Sequence, residues 1–392
     1  MNILLDFLPI TRGGGAQNAL NLWREVARSG GTHRWLAVAQ PELGLGQLPA
    51  AEHQALEEWT VRGFLHRLAL ENVTLPRRAR AFAADVVLTP MGAGPLRSEA
   101  PRVLGWHDSS LAYPESPLWT RTGVGFRTFE WGRQRYVRRA ARRARRICVQ
   151  TETMAMRLAR VWGLPRERFQ IVPNGPSTFL ENEPPAPEPV MADRLRILVI
   201  GDAKPSKNLE IVPHVAAALA RRSLPDWEIV MTVPESPGAW TGPLERALVE
   251  VPEARTHIRR IGAVPHDRLG DLYRGSAVVL LPSFLESFSA TYVEAMHFGV
   301  PLVTSDLDFA RDICGGAALY ADPFDAEALA QSLYAALTDA DLRRALRREG
   351  FERVRALPSW PERLSLYLEA CAGAVWGERG VPLGVLAAER AS

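Results

Sequence analysis

The stretch from Ala277 to Thr304, AVVLLPSFLESFSATYVEAMHFGVPLVT, constrains the fold more than any other. Ala277–Leu281 is a short apolar run closed by Pro282 and Ser283, the signature of a buried strand. A helix is expected from Ser289 or Ala290 to about Phe298. Gly299 stands where a left-handed residue ends a helix, and Pro301 prevents its continuation. A second apolar run, Pro301 to Thr304, completes a strand–helix–strand unit. Glu286 falls in the loop ahead of the helix and Glu294 in its first turns, so both can border the helix N-terminus. That terminus carries free N–H groups and about half a positive charge, which suits a phosphate. The plainer alternative is a βαβ unit with two solvated glutamates.

The same pattern recurs along the chain. Strands are expected at Ile3–Phe7, Trp35–Ala39, Asp85–Leu88, Val103–Trp106, Ile147–Gln150 and Gln170–Val172. One or two helices are expected over residues 52 to 84, with Leu65, Leu68 and Ala69 as an apolar stripe. A proline-rich run, Glu181 to Pro189, reads as a linker. After it the pattern restarts with Leu195–Ile200, Trp227–Thr232 and Ile258–Gly262. At 392 residues there is room for about two domains. Two successive α/β halves imply two doubly wound, Rossmann-like domains facing one cleft. No apolar run is long enough to cross a membrane. The N-terminus reads as a first strand, not a signal peptide. Cys148, Cys314 and Cys371 are far apart and odd in number, without metal or disulfide spacing, which suits a reducing cytoplasm.

Chemistry-bearing residues cluster at the expected strand ends. Gly13-Gly14-Gly15 follows the first strand and precedes a helix; it is either a tight turn or a loop that lets backbone approach a phosphate. It is out of register with a dinucleotide fingerprint. His107 ends a strand, where open α/β sheets place ligand contacts; a structural hydrogen bond to Asp108 or to backbone is the alternative. The chain has two lysines, Lys204 and Lys207, both in the loop after Leu195–Ile200. Residues 126 to 146 form an arginine-rich helix with Phe126, Phe129, Val137, Ala140, Ala141 and Ala144 as its inner face. It is either a solvated helix or a surface for anionic lipid or nucleic acid, and its aromatic residues favour lipid. Asp306-Leu307-Asp308 reads as a loop and helix cap rather than a metal site.

Glu286 and Glu294 match the E-x7-E signature, and the second half resembles retaining glycosyltransferases of GT-B fold, the large family-4 type known as group 1, in its bacterial polysaccharide branch. Lys207-Asn208, six after Gly201, resembles that family's phosphate-binding position; Leu319–Asp325 resembles its segment after the signature; Val172-Pro173-Asn174-Gly175 resembles the end of its N-terminal domain. The resemblance implies an acceptor-side domain of 1–178 plus 358–380, where the last helix returns, a linker at 179–189, and a nucleotide-sugar domain at 190–357. It implies that Glu294 binds the donor ribose, Glu286 the donor sugar, and Lys207 the diphosphate with N–H groups near Ala290 and Thr291. Val264 would lie against the base. His107, the Gly13–Gly15 loop and Asn174 would approach from the other domain. Two positions depart from the pattern. Asp202 replaces the usual arginine, with Lys204 as a candidate substitute. Ser287 and Ser289 replace glycines, either to bond phosphate or sugar, or to cap the helix.

The implied reaction is sugar transfer with retention from a nucleotide-diphosphate sugar (GDP-mannose or a UDP-sugar) to a glycan or lipid-linked acceptor, without cofactor or metal. The expected location is the cytoplasm, with peripheral attachment to an anionic inner membrane face through the arginine helix; no nucleic-acid partner is expected. Alternatives are an epimerase or hydrolase of sugar nucleotides on the same fold, or a degenerate membrane- or RNA-binding module.

Overall fold

The computed structural model describes residues 1–377 apart from 12, 177–179, 181–182, 185–193, 236–240 and 266–267. Most of the expected linker and the expected C-terminal tail lie outside the described residues. The chain forms two units. One comprises Met1–Ala112, Gly125–Gly175 and the chain from Pro358 onward; the other comprises Tyr113–Val124 and Pro176–Leu357.

The first unit is built on seven parallel strands: β1 (Asn2–Asp6), β2 (Arg34–Ala39), β3 (Gln54–Glu58), β4 (Val86–Thr89), β5 (Arg102–Gly105), β6 (Arg146–Val149) and β7 (Phe169–Ile171). Their order is β3-β2-β1-β4-β5-β6-β7. The central strands are apolar throughout because helices cover both faces. Ile3 and Leu5 face a core shared with Trp23 and Val26 of the helix Gly14–Arg28 and with Leu364, Tyr367 and Cys371 of the closing helix Trp360–Trp376. Leu4 and Val87 face the opposite core, against Leu75 and Ala79. Each such buried side chain contributes about 1.5–3 kcal/mol, so losing the closing helix would open a large part of the first core.

The second unit has six parallel strands: β8 (Leu195–Val199), β9 (Trp227–Met231), β10 (Ile258–Arg260), β11 (Val278–Leu281), β12 (Leu302–Ser305) and β13 (Ala318–Ala321). Their order is β10-β9-β8-β11-β12-β13. In both sheets the order reverses beside the first strand, at β1/β4 and at β8/β11. Ligands of open α/β sheets bind outside the carboxyl ends of strands at such a switch point.

Three local expectations are corrected. Residues 52–84 carry the expected helices, Phe64–Ala69 and Leu75–Ala81, but also an unexpected strand: Gln54–Glu58 is the edge strand β3, paired in register with β2 from Trp35↔Gln54 to Ala39↔Glu58. Its sequence, QALEE, has no apolar alternation because little of it is buried. The expected stripe in that region is not an inner face either, since Leu65 and Ala69 are exposed. The arginine helix spans Val124–Arg143, and Arg146 is the first residue of β6, opposite Val103. Glu130, Val137, Ala140 and Ala141 are its buried residues, whereas Phe126 and Phe129 face solvent.

Candidate functional site

The second unit's site is assembled at the β8/β11 switch point. Leu198 pairs with Val279, so the loops that follow β8 and β11 leave the sheet side by side. The β8 loop turns at Gly201 (φ +148°), whose amide donates to Thr232 Oγ1 at 3.0 Å. A Cβ there would meet Lys207 Cε at 3.4 Å, so the glycine leaves the space in which the lysine lies. The next residue, Asn208, is left-handed (φ +54°) and buried, a conformation Asn tolerates. Its Nδ2 donates to Pro282 O at 3.2 Å and Pro323 O at 2.6 Å, tying the β8 loop to the loops after β11 and β13. Phe284 N donates to Ser206 O at 3.0 Å, a second tie.

This framework brings Lys207 and Glu286 together: Nζ lies 2.6 Å from Oε1. Lys204 takes no part. It is exposed and lies 3.0 Å from Asp202 in its own loop, so the loop's added charges neutralise each other. Ser289 is the N-cap of the helix Ala290–His297, with Ala290 exposed and Thr291 buried. Its hydroxyl makes no capping bond, so the capping alternative for this serine is not what the structure shows. Ser287 is half-buried in the entry loop. Glu294 is buried, and its Oε2 accepts from Tyr273 OH at 2.7 Å. Burial and this carboxylate hold the Tyr273 phenol well above its usual pKa, protonated and donating. Val264 is half-buried in the loop after β10, two residues beyond the left-handed Gly262 (φ +74°).

One contributor gave no sequence signal. Arg121, from the short helix Leu118–Arg121, lies over the rings of Phe284 (4.9 Å) and Phe324 (5.4 Å), donates to Asn208 Oδ1 at 3.2 Å and pairs with Glu210. It braces the same loops that Asn208 ties. Asp306 and Asp308 are engaged elsewhere. The first pairs with Arg311 at 2.5 Å; the second accepts from Tyr113 OH at 3.0 Å and from Phe309 N at 2.8 Å. Among the described residues no group of three or more His, Cys, Asp or Glu side chains is arranged to hold a metal ion.

In the first unit, Gly13 (φ +71°) is the N-cap of the helix Gly14–Arg28. A Cβ on Gly13 or Gly14 would meet open space, whereas one on Gly15 would press on Met91 Cε at 3.1 Å. The first two glycines therefore leave a helix N-terminus uncovered, and the third serves packing. His107 follows β5. Its Nε2 is buried without a hydrogen-bond partner, and burial, with the Arg363 charge second, pushes its pKa down to about 3. It is a neutral imidazole in the physiological range. The alternative bond to Asp108 is not among its contacts: Asp108 accepts from Ser110 N at 2.8 Å and pairs with Arg133 at 2.7 Å. Asn174 Oδ1 accepts from Arg363 at 3.3 Å, and Arg363 also donates to Asn18 Oδ1 and lies 4.0 Å over Trp360. This buried cation on the closing helix went unnoticed in the sequence because one arginine among many carries no signal.

Known proteins place the chain. Residues 183–353 match the family model "Glycosyl transferases group 1", and residues 12–178 match "Glycosyltransferase Family 4". The O-antigen chain mannosyltransferase B of Escherichia coli is 28% identical over 163 residues, 42% of each chain. The chain spans about half or less of the length of the curated relatives it matches. A sucrose-phosphate synthase from Thermosynechococcus elongatus shares the fold over 94% of this chain and 98% of its own, with a TM-score of 0.72 at 17% identity. The Anabaena protein HepE, solved in complex with UDP, matches over 94% and 98% with a TM-score of 0.69 at 16% identity.

Proposed function

We propose that this chain, which belongs to the group 1 glycosyltransferases and has their GT-B fold, moves a sugar from a nucleotide-diphosphate donor to a glycan or lipid-linked acceptor in glycoconjugate synthesis. The observation that carries this reading is the Lys207–Glu286 pair, held at 2.6 Å by loops from the two strands that flank the second sheet's switch point. In the reaction the bond between the anomeric carbon and the diphosphate breaks, and the diphosphate leaves as an anion. Charge that develops there is best met by donors already in place. Lys207 and the start of the Ala290–His297 helix supply them, so the chemistry runs without a metal. Glu286, displaced from Lys207 by the incoming phosphate, faces the donor sugar. Glu294 and Tyr273, bonded to each other, hold the ribose. Retention at the anomeric carbon and a UDP or GDP carrier follow from the family resemblance; HepE, solved with UDP, supports the former carrier.

A peripheral membrane site fits the exposed arginines of the Val124–Arg143 helix, among them Arg135, Arg138, Arg139 and Arg142. No helix among the described residues is long and apolar enough to cross a membrane. Each exposed arginine adds about 1 kcal/mol of attraction to an anionic surface, screened within a Debye length. Co-sedimentation with anionic but not neutral liposomes, weakening with salt, is expected; equal, negligible binding to both would leave the helix as scaffold.

The test of the transferase reading is a donor-only assay. A transferase consumes its nucleotide sugar only when acceptor is present. An epimerase or hydrolase on this fold would convert the donor equally fast alone.

A further inference from the structure

Three residues that line one small cavity of the first unit each keep a buried polar atom without a hydrogen-bond partner: His107 Nε2, Trp360 Nε1 and Arg363 Nε. The cavity measures about 10 Å³, the size of a single water. We infer that Trp360 and Arg363 are positioning residues for His107: through a water in this cavity they hold its imidazole as the Nδ1–H tautomer. That this tautomer serves sugar transfer rests on the transferase reading above; the tautomer itself does not.

Counting donors decides which ring nitrogen carries the proton. Burial, with the Arg363 charge second, keeps the ring neutral, so it has one N–H and one lone pair. Trp360 Nε1 and Arg363 Nε can only donate. A water has two lone pairs and two hydrogens, and a buried water takes two to four polar partners. It accepts from both of these nitrogens, and its hydrogens are left for acceptors. His107 Nε2 meets one of them as a lone pair. With a proton on Nε2, three donors would face two lone pairs, and one buried N–H would stay unpaired. Tyr367 also lines the cavity, is held protonated by burial and is itself a partner of Arg363; its oxygen is an acceptor for the water's second hydrogen.

The guanidinium is fixed on its other sides. Nη1 donates to Asn18 Oδ1 and Nη2 to Asn174 Oδ1, each at 3.3 Å, and the group lies 4.0 Å over the Trp360 ring. The closing helix delivers both residues in its first turn, where Glu362 Oε2 accepts from Ser359 N at 2.7 Å in a capping box. An isolated neutral histidine side chain favours Nε2–H, so the protein itself has to impose the other form. With the proton on Nδ1, His107 meets a ligand as a hydrogen-bond donor through that atom and cannot act there as a base.

The test is long-range proton–nitrogen correlation spectroscopy of the full chain with isotope-labelled histidine, without nucleotide, with His107→Gln to assign the signal. The Nδ1–H pattern is expected. Trp360→Phe keeps an aromatic ring and removes its N–H, which frees a lone pair of the water and permits Nε2–H; a mixture of tautomers is expected. Arg363→Met removes the other donor and should act in the same direction; Trp360→Phe keeps the test open if that variant does not fold. Sugar-transfer kcat/KM of Trp360→Phe should fall roughly twofold to fivefold, by the fraction of the competent tautomer lost, with UDP affinity unchanged. An Nε2–H pattern in the parent protein would overturn the proposal, as would an Nδ1–H pattern that Trp360→Phe leaves intact. A shifted tautomer with unchanged kcat/KM would remove both residues from the reaction. A tautomer that responds as expected in a protein that transfers no sugar would sink the transferase reading alone.

Discussion

Glu286→Gln should tighten nucleoside diphosphate binding while it slows sugar transfer. In the ligand-free protein Lys207 Nζ already lies 2.6 Å from Glu286 Oε1, with the two side chains only 15% and 13% exposed. A diphosphate must therefore take the ammonium from the carboxylate and tolerate the carboxylate's own charge. A charge about 6 Å from a phosphate oxygen, at an effective permittivity of about 20, repels it by roughly 2–3 kcal/mol. Rearrangement of both side chains recovers part of that, and about 1 kcal/mol is expected to remain, a roughly fivefold gain in affinity. Lys207→Ala removes a charge-assisted contact worth about 1.5–3 kcal/mol and should weaken the diphosphate about 10- to 150-fold. Titration calorimetry with UDP and GDP, on both single variants and the double variant, measures each term. If Glu286→Gln weakened the diphosphate as much as Lys207→Ala does, Glu286 would be a nucleotide ligand and the assigned roles would fall.

Glu294→Gln should raise the donor KM with little change in kcat, because a ribose contact is present before and during the reaction; Glu286→Gln should do the reverse to kcat, and exchanged effects would exchange the roles. Asn208→Ala should cost about 2–3 kcal/mol, measured by urea denaturation, because it leaves two buried carbonyls without their donor and puts Ala at a left-handed position; a loss under 1 kcal/mol would contradict the tie between the three loops. Glu71, with its pKa raised to about 8, binds more protons folded than unfolded between its ordinary value near 4.5 and that point, so it lowers stability as pH rises through this window. Glu71→Gln should thus gain unfolding free energy relative to the parent from pH 5 to 8, by up to a few kcal/mol at about 1.4 kcal/mol per pH unit, measured by urea denaturation at each pH; a flat difference would refute the shift.

Much of the fold was legible because its central strands are buried on both faces and so read as unbroken apolar runs: Val278–Leu281 and Ile3–Leu5 could be little else. The edge strand Gln54–Glu58 was not legible. It is partnered on one side and half exposed, so nothing selects apolar residues there. Phe126 and Phe129 misled for the opposite reason: helical spacing marks apolar residues as inward, whereas these face solvent. At the site, Lys207 and Glu286 stood out as residue types at strand ends, and the structure pairs them. Asn208, Arg121, Tyr273 and Arg363 act through tertiary contacts with residues between 21 and 345 positions away, which no local pattern encodes. The Asp6–Glu71 neighbourhood is of the same kind, created when the β1 end and a π turn meet.

The most direct measurement is proton NMR of the full chain with UDP- and GDP-linked sugars, with and without n-octyl glycosides as acceptor and with EDTA present. The account predicts that one donor is consumed in step with a new glycoside whose anomeric configuration is that of the donor, with negligible turnover when the acceptor is left out. Free sugar or an epimerised donor, formed at the same rate with and without acceptor, would contradict it.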